Sequence, residues 1–461
     1  MKVVLCHVGI RNIGFNAFYN KFDLTFNNID TYLVPNGICY LGAALRQHGH
    51  EVKYLDLRML NGWKEVEEQL KDINPQIVGC GFQTPNREYA IELCKIAKRL
   101  GIITIVGGPH VTCAPCDALS CQVFDHIVVG EGEITLPKIC DMYDQGITPS
   151  RFHQGEFVSD LSSLNIPYLS PLYENIVKLK KCGFLVTSRG CPGRCSFCQP
   201  VLEKIYGRKI KFRELYHVFK EIDNYINNYG IRKFFFMDDM FTTRKERVEE
   251  FTNWLKNENY NIEYDINARV DFFNEVMAEQ LASTGCNLIS FGFESGSNTK
   301  LKLLRKNTTR ELNLEIGKLW KKTGKLLLAN ILVGVPGETE ADIEQDYTFI
   351  EELKPDAFYY NWMVPYPGTE FYDLFIKSNG LTSDNFALYE MNINKKIGLI
   401  KGVDYNMIRK WEEKFEDLRK RLNCKENMIM TNSKRFLNKM SGWTEFGTNW
   451  IKKVLITGNI I

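Results

Sequence analysis

"SRGCPGRCSFC" (residues 188–198) sets three thiols, Cys191, Cys195 and Cys198, in a C-x3-C-x2-C array with the aromatic Phe197 directly before the last. Four thiolates, one per iron, ordinarily hold an iron–sulfur cubane. A loop that offers three leaves the fourth iron open, and an open position is where a metal site takes up a small molecule for chemistry. Cys182 precedes the strand that leads into the loop, and is expected to lie too far away to complete the set. Zinc, completed by a distant histidine, is the rival metal. Zinc ribbons and fingers use paired C-x2-C knuckles, however, and none surrounds this loop.

An apolar run leads into the loop and five more follow it: "GFLVTSRG", "KFFFMDD", "IEYDINAR", "LISFGFES", "LLLANILVG" and "AFYYNWMV". Each but the last precedes a helical pattern. Apolar residues recur at helical spacing in "RELYHVFKEIDNYINNYG", which closes on Gly230, and in "TRELNLEIGKLWKKTG", which closes on Gly324. This predicts a curved, TIM-like (β/α)6 barrel over residues 183–375. Functional residues of such barrels come from the carboxyl ends of the strands. Those ends carry the cysteine array, Asp238 and Asp239, Arg269, Glu294 and Ser295, Gly334 to Glu338, and Asn361 to Tyr366. Plainer readings stand beside the functional ones: Asp239 as a helix cap, Arg269 as a structural ion pair, Glu338 as the start of a helix.

Residues 1–145 alternate strand and helix as well. Strands are predicted at "KVVLCHV", "EVKYLDL", "QIVGCGF", "ITIVGG" and "HIVVG", giving a doubly wound, flavodoxin-like (Rossmann-like) sheet. Ligands of such sheets bind outside the carboxyl ends of the strands. Here that edge carries His7 to Gly9, Gly81 to Thr84, Gly107 to His110 and Gly130 to Glu133. Glycine there permits either close approach of a bulky ligand or a tight strand-to-helix turn, and glycine alone does not choose between them. Residues 146–182, with Pro149, Pro167 and Pro171, read as a surface linker. Residues 376–461 read as a helical C-terminal region, with Met407, Ile408, Trp411, Phe415 and Leu418 at helical spacing, packed over the barrel or covering its site.

Lys plus Arg (58) nearly balances Asp plus Glu (56), so whole-chain charge makes no case for a nucleic-acid partner. No secretory signal and no transmembrane stretch is evident, which predicts a cytoplasmic protein. Fourteen cysteines in that compartment argue for reduced thiols and metal ligation. Those inside apolar patterns, such as Cys6, Cys94 and Cys286, read as small buried hydrophobes. "TCAPCDALSC" adds Cys113, Cys116 and Cys121, one knuckle plus an isolated thiol without a fourth partner.

The C-x3-C-x-aromatic-C loop after the first barrel strand resembles the radical S-adenosylmethionine (radical SAM) superfamily. The resemblance implies that Cys191, Cys195 and Cys198 hold a 4Fe-4S cluster whose open iron chelates S-adenosylmethionine, that reductive cleavage gives a 5'-deoxyadenosyl radical, and that Phe197 packs near the adenine. Other stretches extend it: "FFFMDDMFT" (Asp238 or Asp239 toward the bound adenosylmethionine), "INARVD" (Arg269 toward its carboxylate), "GFESGS" (Glu294 and Ser295 toward the sugar or amino group), "LVGVPGETE" (Gly334 in the adenine element) and "PYPGTEFY". Asn330 stands where the family more commonly has glycine.

"PNGICYLGAALRQHGHEV", "VGGPH" and "VVGEGE" are similar to the cobalamin-binding domain fused to such enzymes. That similarity implies corrinoid contacts from Gly81, Thr84, Gly107, Gly108, Gly130 and Glu131. The D-x-H-x-x-G string that supplies a cobalt-ligating histidine is missing, so cobalamin is expected to bind without a lower His ligand, and His7, His110 and His126 are not needed as ligands. The family likeness implies a cobalamin-dependent methyltransferase acting on an unactivated carbon or phosphorus centre, through the deoxyadenosyl radical and methylcobalamin, and fed by an electron donor of flavodoxin or ferredoxin type. Two alternatives stand: a radical cyclisation, rearrangement or ring contraction in which cobalamin is structural, redox-active or absent, and a non-catalytic corrinoid or cluster sensor. Nothing in the sequence selects a small-molecule, lipid or peptide substrate.

Overall fold

A computed structural model describes residues 1–9, 15, 34–390, 394, 396–422 and 424. The first sheet comprises β1 (Lys2–His7), β2 (Glu51–Asp56), β3 (Ile77–Gly81), β4 (Ile103–Gly107), β5 (His126–Val129) and β6 (Phe152–Gln154). All its pairings are parallel, in the order β2-β1-β3-β4-β5-β6. β1, β3, β4 and β5 are apolar and buried on both faces, as expected of strands roofed by crossover helices. The five expected strands are present. The sixth, β6, falls in the stretch read as a linker. It is three residues long and exposed at both ends, too short to carry an apolar alternation.

That stretch also forms the helix Ser170–Lys180, which buries Tyr173, Ile176 and Val177 in an apolar cluster shared by both halves of the chain. Burial of side chains such as Ile176 and Val177 stabilises by about 1.5–3 kcal/mol each. The junction is therefore packed, and Asn36 Nδ2 donates across it to Phe184 O at 3.1 Å.

The second half begins with β7 (Gly183–Leu185). A short antiparallel ladder follows, β8 (Ser188–Arg189) with β9 (Lys211–Phe212), and the cysteine loop lies between its strands. Next come β10 (Lys233–Phe236), β11 (Glu263–Ala268), β12 (Cys286–Glu294), β13 (Leu326–Val333) and β14 (Ala357–Trp362). They form a parallel sheet in the order β14-β13-β12-β11-β10-β7. Strand order follows chain order, the mark of successive right-handed β/α crossovers. The helix Leu215–Tyr229 ends on Gly230 in the left-handed conformation (φ 66°), as its sequence predicts. The helix Tyr405–Arg421 is capped by Asp404 and buries Ile408, Trp411, Phe415 and Leu418. It packs on β14, with Phe415 4.3 Å from the Tyr360 ring, over the outside of the barrel. The expected helices beyond residue 424 lie outside the described residues. Among the described residues, no helix is long and apolar enough to cross a membrane.

Candidate active site

The ladder between β8 and β9 closes the base of the cysteine loop, and the barrel rim fixes its tip. Ser196 N donates to Leu304 O at 3.1 Å and Ser196 Oγ to Leu303 O at 3.1 Å, while Phe371 N donates to Ser196 O at 3.3 Å. Donors face two of the three sulfurs: Gly193 N–H toward Cys191 Sγ at 3.4 Å and Arg269 Nη1 toward Cys195 Sγ at 3.0 Å. A Cβ at Gly193 would crowd both groups, at 2.8 Å from Arg269 Nη1 and 3.3 Å from Cys191 Sγ. Loss of water raises the Cys191 thiol. Cys198 opens to solvent yet is crowded by protein; that crowding, then Cys195, Cys191 and Asp239, push its thiol up to about 12. Three sulfurs on one braced loop, with cationic and N–H donors on two of them, suit a group that binds thiolates and spreads negative charge. No three His, Cys, Asp or Glu among the described residues converge as ligands of a single ion would. A cubane takes one thiolate on each iron, so its ligands stand apart.

The Asp238–Asp239 pair divides its work. Asp238 is fully buried and accepts from Thr187 N (2.6 Å), Thr187 Oγ1 (2.5 Å) and Ser188 Oγ (2.7 Å), so it pins the chain entering the loop. Burial raises its carboxyl despite these donors. Asp239 is exposed and accepts from Gly190 N at 3.0 Å, beside the cysteines. Arg269 is oriented by Asp271 at 2.9 and 2.8 Å and donates to Lys306 O at 2.8 Å. Glu294 holds a left-handed backbone (φ 66°) and faces Lys306 Nζ at 3.0 Å, over Gly292. Ser295 is buried and donates to the buried Asp346. Gly334 (φ 77°) is held by Glu338 Oε2 at 2.8 Å; Glu338 and Asp346 flank the buried Lys300. Phe197 is half-buried against an apolar rim that includes Leu304, Val335 and Val364. Cys182 lies at the amino end of β7 near Lys233 and Asp265, away from the loop.

In the first half, Gly81, Gly107, Gly108, Gly130 and Glu131 sit together at the carboxyl edge of the sheet. Gly108 (φ 90°) is demanded by the protein itself, since a Cβ would lie 2.8 Å from Phe82 N. Gly81 has nothing closer than 3.7 Å to its missing Cβ, leaving room above β3. Thr84 is buried, with Oγ1 3.1 Å from His110 Nδ1. The other His110 nitrogen meets Asp117, and both nitrogens of His126 meet Ser150 O and Tyr143 Oη. His7 Nε2 is buried at the end of β1 without a hydrogen-bond partner among the described residues. Burial lowers its imidazole to about 4. Room over Gly81, beside a buried nitrogen unpaired among the described residues and at the point where the winding reverses, suits a large ligand. Cys113, Cys116 and Cys121 do not gather into a metal set among the described residues.

This edge abuts the barrel. A Cβ on Gly130 would stand 2.4 Å from Tyr206 Oη, and one on Gly368 would stand 3.1 Å from Cys113 Sγ. Tyr206 Oη donates to Gly155 O at 2.6 Å and accepts from Glu131 N at 3.0 Å. Glu131 accepts from Arg189 at 2.8 Å and from Lys211 at 2.6 Å, and Glu133 accepts from Arg189 at 2.6 Å. The carboxylate of Glu131 is thus committed to protein groups. Sequence reasoning did not find Arg189, Tyr206 or Lys211, because their partnerships with Glu131 span 58 to 80 residues and leave no local pattern.

The family model of the B12 binding domain matches residues 24–139, and that of the radical SAM superfamily matches residues 185–350. The chain is 29% identical over 375 residues to an uncharacterized methyltransferase of Pyrococcus horikoshii, covering 77% of this chain and 81% of that one. It is 27% identical to the anaerobic magnesium-protoporphyrin IX monomethyl ester cyclase of Rubrivivax gelatinosus, over 74% of this chain and 65% of that one. The radical S-adenosylmethionine methyltransferase TsrM of Kitasatospora setae, solved with cobalamin and a [4Fe-4S] cluster bound, shares the fold: TM-score 0.66, 18% identity, 84% of this chain and 81% of that one.

Proposed function

We propose that this chain, which belongs to the cobalamin-binding radical S-adenosylmethionine enzymes, is a methyltransferase acting on an unactivated carbon or phosphorus centre. One observation carries the reading: the carboxyl edge of the first sheet abuts the segment that continues the cysteine loop, Gly130 against Tyr206, so the glycine edge and the cysteine loop are neighbours. When bound, the cluster supplies the electron that cleaves adenosylmethionine and the corrinoid carries a methyl group. Cys191, Cys195 and Cys198 would hold the cluster. Arg269 sets a fixed positive charge beside Cys195, Asp239 reaches the loop from β10, and Asp238 holds the loop's entry rigid. Gly81 leaves backbone open to the corrinoid, beside Gly107 and Gly108, without a histidine ligand to its metal. An external one-electron donor of flavodoxin or ferredoxin type and a cytoplasmic setting complete the reading.

The experiment is anaerobic turnover of the reconstituted chain with methyl-labelled adenosylmethionine and candidate metabolites, followed by mass spectrometry. Transfer of label to a product supports methylation. The likeness to a cyclase favours a second reading, a radical cyclisation or rearrangement, which predicts 5'-deoxyadenosine and a rearranged product without label.

A further inference from the structure

The cysteine loop leaves and rejoins the barrel through β8 and β9, and Arg189 and Lys211 are direct partners across that ladder. Like charges facing each other across a strand pair repel. Here one carboxylate from the other domain separates them. Glu131 Oε1 lies 2.8 Å from Arg189 Nη1 and 2.6 Å from Lys211 Nζ, while Oε2 lies 2.6 Å from Lys211 Nζ and accepts from Val158 N at 2.9 Å. Glu133 takes the second arm of Arg189 at 2.6 Å. The side chains of Glu131, Glu133 and Lys211 are at most 7% exposed, so solvent screens this network little.

We infer that Glu131 is a positioning residue: it clamps both ends of the cysteine loop to the tip of β5 and thereby sets the distance between the cluster and the corrinoid edge. The inference rests on the reading of Cys191, Cys195 and Cys198 as cluster ligands. A carboxylate with no free lone pair and almost no exposure has no capacity left for ligand contact. Its two cations flank the loop that must be held.

The test is thiol labelling of the full, cofactor-free chain, with each cysteine followed by peptide mass spectrometry. In Glu131→Gln, Cys191, Cys195 and Cys198 should label roughly tenfold faster, the size of a lost hydrogen bond to a charged group. Cys94 and Cys286, buried in the two cores, should stay protected, and the exposed Cys116 should keep its rate. Unchanged loop cysteines in E131Q overturn the inference. If E131Q also exposes Cys94 and Cys286, it has unfolded, and Glu131→Asp decides. That variant should speed the three loop cysteines alone, and equal rates in E131D and the natural chain overturn the inference. In the loaded enzyme, relaxation of the cob(II)alamin signal by the reduced cluster should weaken in E131Q. A chain that takes up no corrinoid sinks the methyl-transfer reading and leaves the labelling arm to judge Glu131 alone.

Discussion

Arg269 Nη1 lies 3.0 Å from Cys195 Sγ, and Asp271 grips the same guanidinium at 2.9 and 2.8 Å. Hydrogen bonds to cluster sulfurs help to set the reduction potential, and a cation favours the more negative state. Arg269→Met should therefore move the cluster's midpoint potential negative. It should slow 5'-deoxyadenosine formation roughly 10- to 100-fold, the effect of losing a hydrogen bond to a charged group. Potentiometric EPR and chromatography of 5'-deoxyadenosine check both. A variant with normal potential and rate would make Arg269 a structural ion pair only.

Asp238 and Asp239 should separate stability from chemistry. Asp238→Ala strands three donors of Thr187 and Ser188 in a buried site, which should cost about 2–4 kcal/mol in urea unfolding. Asp239→Ala, at an exposed position, should stay within about 0.5 kcal/mol of the natural chain. It should still weaken adenosylmethionine binding, measured as the shift of the cluster's EPR signal on titration.

Lys300 is buried between Glu338 and Asp346, and Glu338 in turn holds Gly334 N. Lys300→Met leaves two buried carboxylates without their cation and should destabilise by about 3–5 kcal/mol. Asp346→Asn with the lysine intact should cost less, because Glu338 remains paired. Urea midpoints of the two variants give the comparison.

Asp265 supplies a pH test. Burial is the main cause that lifts its carboxyl from 3.8 to about 7, against the pull of Lys233. The folded chain then binds a proton that the unfolded chain releases. Its stability contribution is full below about pH 4 and is lost as pH rises to about 7, by roughly 4 kcal/mol. Asp265→Asn should leave stability nearly unchanged at pH 4 and raise it at pH 8, read from urea unfolding at both. Equal changes at the two pH values would contradict the shift.

Both sheets were legible in the sequence because parallel strands buried on two faces are apolar runs ended by glycine, as in "QIVGCGF" and "LLLANILVG". β6 was not, because three residues at a sheet edge bury too little to leave a pattern. The helix Ser170–Lys180 was hidden among prolines that read as linker, and its apolar face is specified by the partner surfaces it joins. The cysteine loop could be read from spacing alone. The division between Asp238 and Asp239 could not, since two adjacent carboxylates look alike until Thr187 and Ser188 come to one of them. Glu131 likewise reads as a ligand-edge residue until Arg189 and Lys211 arrive from the other domain.

The most direct measurement is to supply the anaerobically reconstituted, corrinoid-loaded chain with reductant and methyl-labelled S-adenosylmethionine, and to follow the label before any substrate is added. The expected result is about four irons per chain held by Cys191, Cys195 and Cys198, with label appearing on the protein-bound corrinoid. Iron content that is unchanged in Cys195→Ala, or label that never reaches a bound corrinoid, would contradict it.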